Sequence, residues 1–353
     1  MSKSYNLPAL SAKEATTFKE MMQEEMLTLP EISLIHKIYP NIPYNTMINI
    51  KGNFGLVGLV DTGCGQAASN NTLTIVQKEW TPKRVKIFQK ECYSDYDDTL
   101  LEPQINLNSE LGDLTRTELI AQLQDYFKPA IAEAFLRWIW FNDTAAEHSD
   151  ESPAGVITPG TTLGYINVFD GLFKQLYAIC TTTPARRTTI AANAQVTYAL
   201  QDSALTAQLA YEALVGSVYS ASTITRSKPG YKLLATQELY DKALQYVSDK
   251  SLPQTFLNME NGIKQLYVLG YPVIAMPFWS NYIRAYEDNG TYYHDPHRTL
   301  FFHPDNLGIA VPKNDLLLDL NVIFDPINDY TYLKGTSVFD MKVLLDGNIQ
   351  FGY

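Results

Sequence analysis

One long amphipathic helix is the feature of this sequence that most constrains how the chain can fold. Thr115 and Glu118 have the spacing of a capping box, with Leu114 and Leu119 placed as its hydrophobic staple. Apolar residues then recur at helical spacing, at positions 119, 120, 123, 126, 127, 130, 131, 134, 135, 138 and 139. The pattern predicts a helix from about Arg116 to about Trp140, roughly 36 Å long at 1.5 Å per residue.

A proline and an aromatic end distinguish this helix from an ordinary one. Pro129 lies inside it and is expected to kink it, because proline removes a backbone hydrogen bond and clashes with the preceding turn. The helix ends in the sequence RWIWF (137–141), which is unusually aromatic. A polar loop follows over 142–164, and its prolines and glycines indicate the absence of a regular element there.

The segment before the helix has the pattern of a long hairpin. Residues 73–90 alternate and are rich in β-branched and aromatic side chains, which predicts two strand segments interrupted at Pro82. Residues 61–72 are small, polar and glycine-rich, as is typical of an exposed loop tip. The region 46–90 is therefore predicted to be a long hairpin with little core of its own.

The two ends of the chain have different characters. Residues 1–35 are predicted to be an N-terminal extension that carries a helical stretch from Ser11 to Leu27. The second half has a mixed α/β pattern. Helices are predicted at 204–219 and 237–247, and strands at 231–235, 262–274 (as strand, turn, strand), 322–329, 337–347 and the C-terminus. The sequence shows no internal repeat.

Composition excludes several classes of protein. With 353 residues, of which 46% are hydrophobic, the chain can bury a sizeable core, so it is not intrinsically disordered. Its formal net charge of -11 disfavours a sequence-reading nucleic-acid binder, which would usually be basic. The three cysteines, Cys64, Cys92 and Cys180, are too few and too widely spaced for a disulfide framework or a zinc module. Neither a signal peptide nor an apolar run long enough to span a membrane is present, so we expect a soluble protein made in a reducing cytoplasm.

One triplet resembles a catalytic motif. The sequence LVDTG (59–63) has the form of the aspartic-protease triplet, with Asp61 as the catalytic group. Two such aspartates must share one proton, so a single copy would require a homodimer. Retroviral enzymes of that kind have Ala or Ser at the next position, where this chain has Cys64, and they are far shorter. We therefore interpret Asp61 and Gly63 as turn residues.

The histidines do not form a convincing metal site. His294 and His297 are separated by Asp295 and Pro296, and the proline prevents the regular helix that would align two imidazoles. No third ligand has a standard spacing, and a solvated or core-edge role is favoured for both histidines.

Other candidate motifs are equally weak. The acidic cluster of Asp95, Asp97 and Asp98 lacks the spacing of a calcium loop, and Cys64 has no identifiable catalytic partner. Arg186 and Arg187 are too short a basic run for a nucleic-acid footprint. The sequence thus predicts no catalytic, cofactor-binding or metal-binding residue, and the chain is predicted not to be an enzyme.

Four segments, in this order, carry a resemblance to a known family. They are the segments 80–87 (WTPKRVKI), 137–144 (RWIWFNDT), 170–176 (DGLFKQL) and 267–274 (YVLGYPVI). They resemble the strand that leaves an extended loop, the end of a spine helix, the segment that re-enters the body, and the strand pair of an axial domain. Together with the order of elements over residues 30–353, they resemble the Hong Kong 97-type major capsid proteins of tailed bacteriophages.

The resemblance implies an α+β fold with a fixed division of the chain. Residues 1–45 would form an N-terminal arm and 46–90 an extended β-hairpin loop. Residues 91–188 and 300–353 would form a peripheral domain with the spine helix, and 189–299 an axial domain.

The same resemblance implies a function. The subunits would assemble into homo-pentamers and homo-hexamers of an icosahedral shell that encloses double-stranded DNA without reading its sequence. Expected partners are a portal, a separate scaffold, and decoration or minor capsid proteins. The protein would be made in the host bacterial cytoplasm and end in the virion, with no membrane and no cofactor. An encapsulin-like compartment shell and a hydrolase that uses Asp61 are the alternatives.

Two family features are not matched by this sequence. Only about thirty to forty residues precede the resemblance, which is too few for a cleaved scaffolding segment and favours a separate scaffold. Lys51 and Lys78 lie in the loop region, but neither matches a motif for a covalent crosslink between subunits.

Overall fold

In the computed structural model, the structure describes residues 30–42, 45–51, 75–92, 116–152, 154–250, 266–312, 317–325, 327 and 330–353. Its helices are α1 (Pro30–Ser33), α2 (Arg116–Trp140), α3 (Leu172–Thr182), α4 (Tyr198–Ala204), α5 (Ala207–Ser220), α6 (Thr223–Arg226), α7 (Gln237–Asp249) and α8 (Pro277–Tyr286). Its strands are β1 (Lys37–Tyr39), β2 (Thr46–Lys51), β3 (Ile75–Trp80), β4 (Lys83–Cys92), β5 (Arg187–Thr188), β6 (Lys232–Thr236), β7 (Tyr267–Val268), β8 (Tyr271–Met276), β9 (Thr299–Phe302), β10 (Leu307–Ala310), β11 (Leu317–Asp325), β12 (Tyr330–Val343) and β13 (Gln350–Gly352).

Strand β12 organises a five-stranded sheet. Its first part pairs antiparallel with β4, from Tyr330 opposite Cys92 to Phe339 opposite Lys83, and also with β11. Its last four residues pair antiparallel with β10, which in turn pairs parallel with β1. This one strand therefore connects the outer part of the sheet to its inner part.

A second sheet has six strands and lies in the other half of the molecule. Its order is β5-β13-β9-β6-β8-β7, with the β6–β8 and β5–β13 pairs parallel and the others antiparallel. Helices α5 and α7 bury apolar residues against it, around Leu214, Leu239 and Phe301. Strands β9 and β13 come from the C-terminal fifth of the sequence, so both ends of the fold contribute to this sheet.

The C-terminal half of α2 packs on the inner face of the five-stranded sheet. Phe135 and Trp138 lie 5.5 and 6.1 Å from Phe339 of β12, measured between ring centroids. Val85 of β4 and Leu333 of β12 belong to the same buried cluster. The apolar stripe of the helix therefore covers one face of the sheet, as its periodicity predicts.

An aromatic cluster closes the end of α2 against α3 and α8. Trp140 lies 4.7 Å from Trp279 and 5.4 Å from Phe173, measured between ring centroids. Phe173 lies 4.9 Å from Trp279, so the three rings contact one another. All three side chains are buried, and edge-to-face contacts of this kind add to the stability gained from area burial.

A buried ion pair lies beside this cluster. Arg298 is 1% exposed, and one of its Nη atoms donates to Glu287 Oε2 and, at 3.0 Å, to the carbonyl oxygen of His294. Its Nε donates to the Asp295 carbonyl oxygen at 3.0 Å, and its guanidinium lies 4.6 Å from the ring of Phe173. Burial lowers the pKa of Arg298, but the combined attraction of Glu287, Tyr177 and Asp295 outweighs it, so the pKa lies above its ordinary value and the guanidinium is charged.

The predicted elements are confirmed in most places. The helix at 116–140, the break at Pro82 between β3 and β4, the strand β6, the helix α7 and the terminal strand β13 are all present. The predicted capping residue Thr115, the helical stretch at 11–27 and the loop tip at 61–72 lie outside the described residues. Helix α2 is continuous through Pro129, and the kink remains a prediction.

Two elements differ from the sequence-based expectation. The predicted helix at 204–219 is confirmed as α5, but it begins three residues later, because Thr206 caps it by accepting a hydrogen bond from Leu209 N at 3.2 Å. The predicted strands at 322–329 and 337–347 are shifted, since β11 ends at Asp325 and β12 begins at Tyr330. Asp325 accepts a hydrogen bond from Ile327 N at 3.0 Å, and this Asx turn ends the first strand.

Because Arg298 and Glu287 are both buried, replacing one of them should destabilise the protein more than replacing both. We expect Arg298→Leu to lower the free energy of unfolding by about 3–5 kcal/mol, since it leaves Glu287 charged and unpaired. The double variant Arg298→Leu/Glu287→Leu should lose less than the single variant. Urea unfolding followed by tryptophan fluorescence measures both. If the single and the double variant lost the same free energy of unfolding, the unpaired charge of Glu287 would not be the cause of the destabilisation.

Candidate functional site

The hairpin β2–β3 is the element most clearly separate from the body of the protein. Its strands pair antiparallel from Thr46 opposite Trp80 to Lys51 opposite Ile75. The residues that join them, 52–74, lie outside the description, as do Asp61, Gly63 and Cys64. Met47 of the stem is 59% exposed. Ile48 of the same strand packs against the buried cluster of Trp80, so the stem is joined to the body of the protein at its root.

Trp80 anchors this root. Its side chain is fully buried with Ala310 of β10 and Leu344, and Tyr39 of β1 lies 6.0 Å away between ring centroids. Gly308 makes room for both rings, since a Cβ at that position would lie 2.9 Å from Tyr39 Cε2 and 3.0 Å from Trp80 Cη2. The indole is therefore held in a slot that requires a glycine on β10.

A charged contact fixes the stem beside the tryptophan. Lys78 Nζ donates to the Val343 carbonyl oxygen at 2.6 Å and lies 2.5 Å from Asp346 Oδ1. Immediately after the stem, the Thr81 amide donates to Asp340 Oδ2 at 2.8 Å. These contacts connect both sides of Trp80 to β12 and the turn that follows it. The hairpin therefore leaves the body in a defined direction.

The structure does not bring the two predicted histidines together as a metal pair. His294 is partly exposed, and its Nδ1 lies 3.8 Å from Asp295 Oδ2. His297 is 2% exposed, and burial lowers its pKa to about 4. Asn193 bonds to both the amide and the carbonyl of His297, at 3.0 and 2.8 Å, so the residue is held by its backbone. In the part of the chain that the structure describes, no group of three or more His, Cys, Asp or Glu residues could hold a metal ion.

The remaining candidates have structural roles or lie outside the description. Cys180 is buried, and burial raises the pKa of its thiol to about 11. Arg187 is part of β5 and lies 4.2 Å from the ring of Tyr353. Cys92 ends β4, and the acidic cluster at 95–98 falls outside the described residues.

Sequence reasoning missed the residues that fix the hairpin. Lys78 and Asp346 are 268 positions apart, and Gly308 is 228 positions after Trp80 (308 minus 80). No local pattern connects such distant positions. The one available signal was Trp80 itself, a large apolar residue directly before the break at Pro82.

Comparison with known proteins identifies the fold. No protein-family model matches the sequence, and no curated protein matches it. A chain in the structure of the satellite phage P4 procapsid, which includes its size determination protein, matches with a TM-score of 0.50 and 13% identity, over 96% of this chain and 98% of that chain. A Gordonia phage Cozz structure matches with a TM-score of 0.48 and 11% identity, over 91% of this chain and 84% of that chain. The encapsulin of Synechococcus elongatus PCC 7942 matches with a TM-score of 0.44 and 10% identity, over 100% of this chain and 93% of that chain.

Only the first of these reaches a TM-score of 0.50, so the fold assignment rests on it. The chain has the fold of phage capsid shell proteins, the Hong Kong 97-like α+β fold that the sequence predicted. Among the helices that are described, none is long and apolar enough to cross a bilayer.

The slot around Trp80 predicts that substitution of two glycines by alanine has different effects on stability. Gly308→Ala should lower the free energy of unfolding by about 1–3 kcal/mol, because the new methyl group meets two rings that cannot both move. Gly164→Ala is the matched control, since a Cβ at Gly164 would have no neighbour within 4 Å. It should change stability by no more than about 0.5 kcal/mol. Equal effects of the two substitutions in urea unfolding would contradict the slot.

Buried histidines make stability depend on pH in a defined direction. His36 packs 5.3 Å from Trp140, and burial lowers its pKa from 6.5 to about 3. Between these values the unfolded chain binds the proton and the folded chain does not, so stability falls as pH decreases. The loss is about 1.4 kcal/mol per pH unit for each such histidine.

We expect His36→Leu to reduce this dependence. Between pH 7 and pH 5, the loss of unfolding free energy should be smaller in the variant than in the wild type by about 2 kcal/mol. His294→Gln, which removes a partly exposed imidazole, is the control. A wild-type-like loss in His36→Leu would show that His36 does not carry the effect.

Proposed function

We propose that this chain is the major structural subunit of a phage capsid shell. The observation that carries the proposal is the match in fold over nearly the whole of both chains to a component of the satellite phage P4 procapsid. A shell subunit must be rigid in its body and must reach its neighbours. The buried aromatic cluster at the end of α2 makes the body rigid. The hairpin that is fixed at its root would reach the neighbouring subunits.

The excursion beyond the hairpin stem is the proposed assembly element. Residues 52–74 contain Leu56, Val57, Leu59 and several glycines, which lose more backbone entropy on ordering than any other residue. Such a segment gains little by folding alone, and a neighbouring subunit would cover its apolar side chains. The 23 tyrosines of the chain suit large interfaces, and obligate assemblies commonly bury about 2,000 Å² or more.

We propose the division of the chain that the family resemblance implies. Residues 1–45 would be an arm and 46–90 the extended loop. Residues 91–188 and 300–353 would form the peripheral unit, and 189–299 the axial unit. Pairing of β9 with β6, and of β13 with β9, would make the two units one rigid body. Six or five copies would then close into hexamers and pentamers of an icosahedral shell.

The proposed content of the shell is double-stranded DNA. A net charge of -11 suits a container that confines DNA without binding its phosphates tightly, because tight binding would impede packing and release. Portal and scaffold proteins are the proposed partners, with decoration or minor capsid proteins on some shells. The protein would be made in the host cytoplasm and reside in the virion. Particles purified with an enzyme cargo instead of DNA would indicate the encapsulin-like alternative.

Replacement of residues 52–72 by a short Gly/Ser linker tests the proposed assembly element. The variant should remain a folded monomer, because Trp80 and Lys78 anchor the stem to the body of the protein. Sedimentation should show the loss of hexamers and shells that the wild type forms, while circular dichroism keeps its helical signal.

Two results would contradict this expectation. Unfolding of the variant monomer in circular dichroism and urea titration would place residues 52–72 in the core. Shells of normal size and yield would show that the excursion is not an assembly element. A peptidase activity that Asp61→Asn abolishes would instead support the hydrolase alternative.

A further inference from the structure

The outer face of the five-stranded sheet carries an unusual set of side chains. Even-numbered residues of β4 and β12 share this face, because Lys86 pairs with Thr336, Phe88 with Lys334 and Lys90 with Tyr332. Odd-numbered residues such as Val85 and Leu333 point to α2 and are buried. We name as the cationic face its outward residues Arg84, Lys86, Phe88, Lys90, Tyr330, Tyr332 and Lys334, with Ile323 of β11.

The cationic face combines charge with exposed apolar rings. Phe88 is 53% exposed and stacks on Tyr332 at 5.5 Å between ring centroids. Lys86 Nζ lies 4.2 Å from the centroid of the Phe88 ring, and Lys90 Nζ lies 3.5 Å from that of Tyr330. These cation–π contacts hold the ammonium groups against the sheet instead of letting them extend into solvent. The face is therefore preorganised for an anionic and partly apolar partner.

Like charges are concentrated here in a chain that is otherwise acidic. Arg84, Lys86, Lys90 and Lys334 supply four positive charges, and none of them forms an ion pair with another described residue. Strand β11 adds Asp319 and Asp325 at positions on the same side, so the face retains a net positive charge. Neighbouring like charges on a sheet are destabilising, and a bound anionic segment would relieve the repulsion.

The sequence contains one segment with the complementary composition. Residues 93–115 carry six acidic side chains and no lysine or arginine. Three of the six are Asp95, Asp97 and Asp98, which lie between Tyr93 and a pair of leucines at 100 and 101. The acidic and apolar character of this stretch matches the charge and the exposed rings of the cationic face.

We propose that the cationic face binds the acidic stretch 93–101 of an adjacent copy of this chain. The proposal rests on the proposed function, because a shell places copies side by side. Binding within one chain is limited by reach, since the stretch begins where β4 ends at Cys92. Measured back along β4 from Cys92, Lys86 lies about 20 Å away and Arg84 about 26 Å away. If the chain reversed direction after Cys92, its own Asp95 and Asp97 would reach no further than Lys90. An adjacent copy has no such limit.

An acidic peptide fits the face better than a nucleic acid does. A net charge of -11 repels a long polyphosphate from the molecule as a whole. A short segment of a neighbouring subunit contacts the face alone, and its high local concentration in a ring compensates for weak individual contacts. Nucleic-acid binding is an outcome that the experiment below distinguishes.

Two charge-reversed variants test the proposal. In one, Lys86→Glu/Lys90→Glu reverses the face; in the other, Asp95→Lys/Asp97→Lys reverses the segment. Each alone should lower the assembled fraction by roughly tenfold at about 0.15 M salt, measured by sedimentation. All four substitutions in one chain should restore assembly. An equimolar mixture of the two variants should restore hexamers, in which reversed faces and reversed segments alternate, but not pentamers, which have an odd number of subunits.

Controls separate folding from binding. Lys228→Glu/Lys250→Glu makes the same charge change at two exposed lysines outside the face and should assemble normally. Urea unfolding should give each variant a stability close to that of the wild type. If the wild type itself forms no rings or shells, the proposed function fails before this inference is reached.

Three outcomes would overturn the inference while the shell proposal stands. Normal assembly of both variants would show that the two charged regions do not meet. Rescue by the four-substitution chain without rescue by the mixture would place the segment on its own chain. Normal assembly of Lys86→Glu/Lys90→Glu with a reduced DNA content in its particles would identify nucleic acid as the ligand.

Discussion

The rest of the structure depends on one charge that the protein has removed from water. A buried guanidinium costs several kcal/mol unless its hydrogen bonds and its charge are satisfied. Arg298 meets most of this demand with Glu287, with the carbonyl oxygens of His294 and Asp295, and with the ring of Phe173, while its other Nη atom has no hydrogen-bond partner among the described residues. These partners come from three places in the fold. Glu287 directly follows α8, His294 and Asp295 lie in the loop before β9, and Phe173 belongs to α3. The requirement to satisfy Arg298 therefore specifies how these elements meet, beyond what apolar packing alone would specify.

The contacts around Arg298 also position the long helix α2, the sheet built on β12 and the hairpin. The end of α2 lies against it through Trp140 and Trp279, and α2 in turn covers the inner face of the sheet built on β12. The turn after β12 supplies Asp346, which fixes Lys78 of the hairpin. A continuous set of contacts thus runs from the buried charge to the root of the excursion. In the proposed shell, a body held in this way would transmit the position of one subunit to the next, as a closed shell of repeated contacts requires.

Much of this architecture follows from local signals in the sequence, and the rest cannot. The helix at 116–140 and the break at Pro82 were predictable because periodicity and proline act within a few residues. The pairing of β4 with β12 and the slot at Gly308 were not, since each joins positions more than two hundred residues apart. The start of β12 was missed because Lys334 and its polar neighbours weaken the alternation there. Arg298 follows directly after the histidine pair that was considered and rejected as a metal site. Nothing in the local sequence shows that Arg298 is buried.

Cryo-electron microscopy of the purified full-length protein is the most direct test of the account. It predicts closed shells in which residues 46–80 of each subunit extend from a root at Trp80 and lie on an adjacent subunit, with the Arg298–Glu287 pair buried in every copy. A monodisperse monomer with residues 52–74 folded against its own body would contradict the central claim. So would a shell in which that segment makes no contact with a neighbour.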